Sequence, residues 1–222
     1  MLLKDIELKY SAINKAILAH PFIRGISNGD LSEEKFIFYL KQDYLFLIEY
    51  SRLLGLMVTK ASSKSLMMKV STLLNETLNN EMELHISFCS KFGISRKEIL
   101  KTRPAPITMG YTNFLLRIAY ENTFAEMLIS LFPCQWGYYE LGRELHSENT
   151  LKNNSKYTAW VDMYISSEYA DLAKWIRDLT KNVVMESNKN NLEKIYYTSL
   201  CYEFMFWQMS WDMDFGPKIL QI

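Results

Sequence analysis

The stretch Phe124–His146, FAEMLISLFPCQWGYYELGRELH, decides how the chain is read, because a proline and a thiol interrupt an apolar pattern of helical period. Leu128, Leu131 and Phe132 recur at helical spacing, and so do Cys134, Tyr138 and Leu141 beyond the interruption. Pro133 has no N–H for the carbonyl four residues back, and its ring crowds that carbonyl, so the helix must kink or restart there. If it restarts, Cys134 lies just inside a new helix N-terminus, where unpaired N–H groups and the positive end of the dipole favour the thiolate. The same spacing equally describes a small buried side chain in an apolar helix.

Working outward, the flanking segments are also helical. Leu2–Leu18 reads as a first helix ending before His20-Pro21, and Gly25–Asp30 as a turn. LSEEKF follows, with Ser32 able to cap, Glu33 and Glu34 suited to the dipole, and Leu31 with Phe36 able to form a hydrophobic staple. It starts a long helix to about Lys60. A second long helix is expected over Lys64–Phe92, stopped by Gly93. Ser95-x-x-Glu98 is a capping box, Pro104 and Pro106 force an extended link, and Tyr111 opens the next helix. Downstream of His146 the polar run SENTLKNNSK reads as a loop. Tyr157, Trp160, Val161 and Tyr164 mark a short helix, Ser166-Ser167-Glu168 restarts the pattern to about Ser187, and a last helix covers Asn190–Asp214. No alternating β-branched run bounded by turns occurs, so the fold class is all-α, a single-domain multi-helix bundle over residues 1–222.

Composition narrows the function. A hydrophobic content of 49% supports a sizeable core, and the few glycines and prolines form no linker that would divide it. Lys plus Arg equals Asp plus Glu at 25 each, with the signs interspersed, which argues against a nucleic-acid partner. The apolar window Tyr44–Val58 is broken by Glu49 and Arg52 and is too short to span a bilayer, so no membrane association is expected. Cys89, Cys134 and Cys201 are an odd number without CxxC spacing, and no signal peptide precedes them; a cytoplasmic location is expected.

Two carboxylates stand among rings. Asp43 lies in QDYLFLIEY with Tyr39, Tyr44, Phe46, Leu47 and Tyr50 around it, and there it is costly unless paired or used; the solvated side of the helix is equally open to it. Glu203 shares a helix face with Phe206 and Trp207, where burial would raise its pKa and favour a protonated, donor-competent carboxyl. Glu81 and His85, four apart, share a face as well, in the manner of a surface contact or, less often, a metal site. A tyrosine-rich interior suits a flat polar ligand.

QDYLFL, the tyrosine of YTNFL, LFPCQWGYYELG, WVDMYISSEY and YEFMFWQM together resemble the TenA family, also called thiaminase II, in order and spacing across nearly the whole chain. The resemblance implies a haem-oxygenase-like all-α domain assembled as a homotetramer. It implies hydrolysis of aminomethyl-pyrimidines to hydroxymethyl-pyrimidine and ammonia in thiamin salvage, and cleavage of thiamin at the same exocyclic carbon. Cys134 stands where the family's nucleophile does, Glu203 matches its acid/base, and Asp43 matches the carboxylate that holds the pyrimidine amino group. Tyr111, Tyr138 and Tyr164 match pocket tyrosines and Phe206 a stacking ring, while Phe46 replaces the tyrosine of some members. The small-molecule partner is then a pyrimidine or thiamin, with no metal and no cofactor. Two rivals differ in class. One is a haem or di-iron oxidase on the same fold, drawing on His20, Glu76, Glu81, His85, Glu140, Glu144 and His146. The other is a non-catalytic pyrimidine-binding or regulatory protein.

Overall fold

The computed structural model describes residues 3–147, 156–186 and 189–216. Among them it contains twelve α-helices, one π-helical turn and no strand. The helices are α1 Leu3–Lys9, α2 Ser11–Leu18, α3 Pro21–Asn28, α4 Glu33–Lys60, α5 Lys64–Glu76, α6 Met82–Lys91, α7 Arg96–Leu100, α8 Pro106–Glu121, α9 Phe124–Ser147, α10 Thr158–Ile165, α11 Ser167–Glu186 and α12 Lys189–Asp212. The all-α expectation holds. Most of the loop expected after His146 lies outside the described residues.

Local chemistry explains where the bounds depart from the sequence reading. The first helix is two, because the backbone turns at Tyr10 (φ −105°, ψ 15°). Residues Gly25–Asn28, expected as a turn, are helical: Pro21 starts α3 at its first position, and the Nδ1 of His20 accepts from the Phe22 N–H at 3.2 Å. The turn comes at Gly29, whose φ of 76° suits a residue without a Cβ. Pro106, at the first helical position, rather than Tyr111, opens α8. The capping box of Ser95 and Glu98 is present, and α4 runs to Lys60 as expected. Helix α9 continues through Pro133 without restarting, so its N-terminus is at Phe124 and Cys134 lies in its interior.

The chain forms two compact units, one of residues 1–32 and 128–208, the other of residues 33–127 and 209–222. In the first, α1, α2, α3, α10 and α11 accompany most of α9 and α12 around Phe22, Ile23, Ile26, Trp160 and Trp207, all fully buried. Gly142 lets α10 lie close on α9, since a Cβ there would stand 3.0 Å from Ile165 and 3.1 Å from Tyr164. Glu7 on α1 and Arg177 on α11 form a paired salt bridge, and the guanidinium lies 4.4 Å from the centre of the Trp136 ring.

In the second unit α4 packs against α5, α6 and α8. Fully buried Gln42 ties α4 to the link before α8: its amide donates to the Arg103 carbonyl at 3.0 Å and accepts from the Ala105 N–H at 2.9 Å and the Thr108 hydroxyl at 2.7 Å. Gln42→Leu keeps the volume but removes a hydrogen bond from each of three polar groups, the Thr108 hydroxyl keeping only its weak contact with Met209 Sδ. It is expected to lower stability by about 3 kcal/mol, measured by urea unfolding. Between α5 and α6 the chain makes the π-helical turn Thr77–Glu81, TLNNE. Asn79 and Asn80 are weak helix formers whose amides bond back to Asn75 and Glu76. The extra residue rotates all that follows by about 100° relative to a continuous helix.

Candidate functional site

In the first unit a cavity of about 270 Å³ is lined mainly by α9 and α12, with Glu7 from α1 and Asn14, Ile17 and Leu18 from α2. Its α9 side presents Phe132, Pro133, Trp136, Gly137 and Tyr138; its α12 side presents Tyr196, Leu200, Glu203 and Trp207. Glu203 is the acid set deepest, with only 5% of its surface exposed. Burial first, and Glu7 next, push the Tyr196 hydroxyl up to about 12, so it stays neutral at any working pH.

Ring contacts place the thiol and the acid in relation. Phe132 on α9 meets Tyr196 on α12 at 6.3 Å, and Tyr138 meets Trp207 at 5.4 Å. Cys134 lies between the two α9 contacts and Glu203 between the two α12 contacts. Cys134 is half-buried and does not itself line the cavity, although Pro133, Gly137 and Tyr138 on either side of it do. Behind the lining, Tyr138 contacts Tyr164 at 4.8 Å and Tyr164 contacts Trp160 at 4.9 Å; neither Tyr164 nor Phe206 lines the cavity. Phe206, beside Trp207, is buried.

The second unit holds the remaining expected residues. Asp43 is buried, which settles its side of α4. Its Oδ2 accepts from the Tyr39 hydroxyl at 3.2 Å and lies 2.6 Å from Nε2 of His85 on α6, an ion-pair contact rather than a well-angled hydrogen bond. Phe46 stacks on Tyr50 at 6.1 Å and packs on Tyr111 at 5.0 Å, so the ring at this position keeps an aromatic role without the hydroxyl. Cys89, also fully buried, has its thiol pushed up to about 11 by burial, as an inert core cysteine should.

The sequence model of the TENA/THI-4/PQQC family matches residues 8–213, nearly the whole chain. The chain belongs to this family. A relative named aminopyrimidine aminohydrolase, from Halalkalibacterium halodurans, is 36% identical over 196 residues, 87% of this chain and 88% of that one. Among solved structures, a TenA homologue from P. horikoshii OT3 superposes with a TM-score of 0.87 at 29% identity, covering 96% of this chain and 99% of the other. A protein from Shewanella denitrificans with a heme oxygenase-like fold superposes at 0.75 with 15% identity, over 96% of this chain and 93% of that one, a likeness of fold alone. The fold is therefore the haem-oxygenase-like all-α bundle.

For this family member, sequence reasoning missed His85. The residue has no exposed surface and faces Asp43; it is not a surface contact. A signal was present: His85 shares its helix face with Met82, Phe88 and Cys89, an apolar stripe that predicts burial. Glu7 and Arg177 were missed because their partners lie far apart in sequence. His20, weighed as an axial ligand, caps α3 and has Gln208 Oε1 3.2 Å from its Nε2. Among the described residues no three His, Cys, Asp or Glu side chains form a group that could hold a metal, and no helix is long and apolar enough to cross a membrane.

Beside the Asp43–His85 pair, burial raises the Glu81 carboxyl from 4.5 to about 7; Asp43 adds to the rise and His85 opposes it. The native state thus holds a proton that the unfolded chain loses near pH 4.5. The stability this contributes is complete below that pH and is lost as pH rises through about 7. Glu81→Gln is expected to match the wild type at pH 4 and to exceed it at pH 8. Part of Glu81 remains open to water, so the gain should be about 2 kcal/mol rather than the ~3 kcal/mol of a shift that size, read from paired denaturation curves.

Proposed function

We propose that the protein is an aminopyrimidine aminohydrolase of thiamin metabolism, acting on 4-amino-5-aminomethyl-2-methylpyrimidine and cutting thiamin at the same exocyclic carbon. The observation that carries this reading is a buried acid, Glu203, lining an aromatic-walled cavity whose α9 side is formed by Pro133, Gly137 and Tyr138, the residues on either side of the half-buried Cys134. The names of the relatives supply the substrate class.

The chemistry follows from these groups. The Cys134 thiolate adds to an electron-poor carbon of the pyrimidine, forming a C–S bond, and the displaced electron pair is taken up at a ring nitrogen that Glu203 protonates. The electron-rich ring then expels the amine, which leaves from its ammonium form as ammonia. Water, deprotonated by Glu203, adds at the exocyclic carbon, and loss of the thiolate together with the ring N–H proton restores the neutral aromatic ring. In sum the aminomethyl compound and water give the hydroxymethyl compound and ammonia, with no change of oxidation state. Tyr138 supplies flat contact area and excludes bulk water. The roles of Asp43 as acceptor for the ring amino group, and of Tyr164, Phe206, Phe46 and Tyr111 as pocket rings, rest on the motif resemblance.

The protein is further proposed to act in the cytoplasm, as a homotetramer. Exposed apolar side chains such as Leu8, Met68 and Tyr120 are compatible with subunit contacts. The deciding experiment incubates purified protein with the aminomethyl pyrimidine and follows ammonia. Release at enzymatic rates supports the hydrolase. Binding without release leaves the non-catalytic pyrimidine-binding reading, and neither binding nor release overturns both.

A further inference from the structure

The second unit contains a polar group that the proposed reaction does not use. His85 has no exposed surface, yet its Nε2 stands 2.6 Å from the Asp43 carboxylate, and the Tyr39 hydroxyl bonds the same oxygen, Oδ2. Burying such a pair is costly, and packed apolar residues would serve stability as well or better. The π-helical turn Thr77–Glu81 immediately precedes α6 and sets its register, which determines that His85 and not a neighbour faces α4.

We propose that His85 is the positioning residue of Asp43: it occupies Oδ2 together with Tyr39 and so fixes the carboxylate's orientation, leaving Oδ1 to accept from the amino group of the ring. This rests on the functional reading above. A carboxylate packed among rings can turn about its last bond and exchange its oxygens, which spoils a site meant to accept from an amine. The Tyr39 hydrogen bond and the His85 ion-pair contact on the same oxygen prevent the turn.

The surroundings agree. Burial works against a charged His85, but Asp43 outweighs it, with further help from the side chain and backbone carbonyl of Glu81, so the ring is held protonated above its usual range. From α4 the facing groups are Asp43 and the Tyr39 hydroxyl; from the π-helical turn, Glu81. The Cys89 thiol on α6, pushed up to about 11 by burial, feels Asp43 and Lys41 and stays uncharged.

The chain has three histidines, so NMR of histidine-labelled protein resolves them, and His85→Gln assigns the signal. Expected is a His85 ring that keeps its proton above the ordinary imidazole range, losing it at least about one pH unit lower in Asp43→Asn. Affinity for the hydroxymethyl pyrimidine is measured alongside that for its analogue lacking the ring amino group. In His85→Gln the Asp43 carboxylate is no longer held by its Oδ2, so Kd for the amino compound should rise at least about tenfold while Kd for the analogue changes little. A merely structural role would weaken both alike. An equal loss for both, no loss, or a His85 signal indifferent to Asp43→Asn overturns the proposal. If His85→Gln does not fold, the Asp43→Asn titration decides it. Failure of the wild type to bind any pyrimidine overturns the functional reading instead, and the NMR arm still decides the pairing.

Discussion

Cys134→Ala is expected to lower ammonia release from the aminomethyl pyrimidine by at least about 10³-fold while leaving the Kd of the hydroxymethyl pyrimidine within a few-fold of wild type. The magnitude follows from the role: a covalent nucleophile has no substitute within the pocket, and the remaining residues retain only binding and electrostatic contributions. Removing one small half-buried side chain from the middle of α9 should leave the fold intact. The three cysteines provide an internal control. Cys89 is fully buried with its thiol pushed up to about 11, so brief alkylation should spare it, and activity should be lost in step with modification of Cys134. Loss that instead follows Cys201, or an alanine variant with undiminished turnover, would remove the nucleophile from the mechanism.

For Glu203→Gln the expected result is a loss of about 10²–10⁴-fold in kcat, the range that a positioned proton donor and acceptor contributes. The substitution keeps size and hydrogen-bonding capacity at a site with 5% exposure, so binding and stability should change little. That separation is the test: steady-state kcat should fall, while Kd and the urea midpoint hold. A rise in KM with kcat preserved would make Glu203 a binding group only. Because Glu203 shares the cavity with Trp207 and Tyr138, Glu203→Ala is the poorer variant, as it would also enlarge the space between these rings.

Much of the fold was legible in the sequence because helix formation is largely local. The start of α4, the Ser95–Glu98 capping box, the break at Ser166 and the length of α12 all follow from caps and helical spacing within a few residues. The misreadings arose where packing outweighed local preference. Pro133 signals a break, but the lost hydrogen bond is outweighed in a helix whose neighbours Leu131 and Phe132 are fully buried. Gly25 looked like a turn, yet it approaches Leu31 so closely, 3.1 Å from a would-be Cβ, that its small size answers a packing need inside α3.

By itself the sequence determined the helical class, most helix limits and the residue types available for chemistry: one thiol behind a proline, and two carboxylates among rings. Only the tertiary structure decided which of these are buried and what they touch. The π-helical turn advances the register of α6 by one residue, and no local pattern predicts such an insertion, because its cost is recovered only through contacts with another helix. That shift turns the Glu81–His85 spacing from a surface motif into a buried partner for Asp43. Likewise, the meeting of Phe132 with Tyr196 and of Tyr138 with Trp207 joins residues more than sixty positions apart, and it is this packing that sets Glu203 beside the helix that carries Cys134.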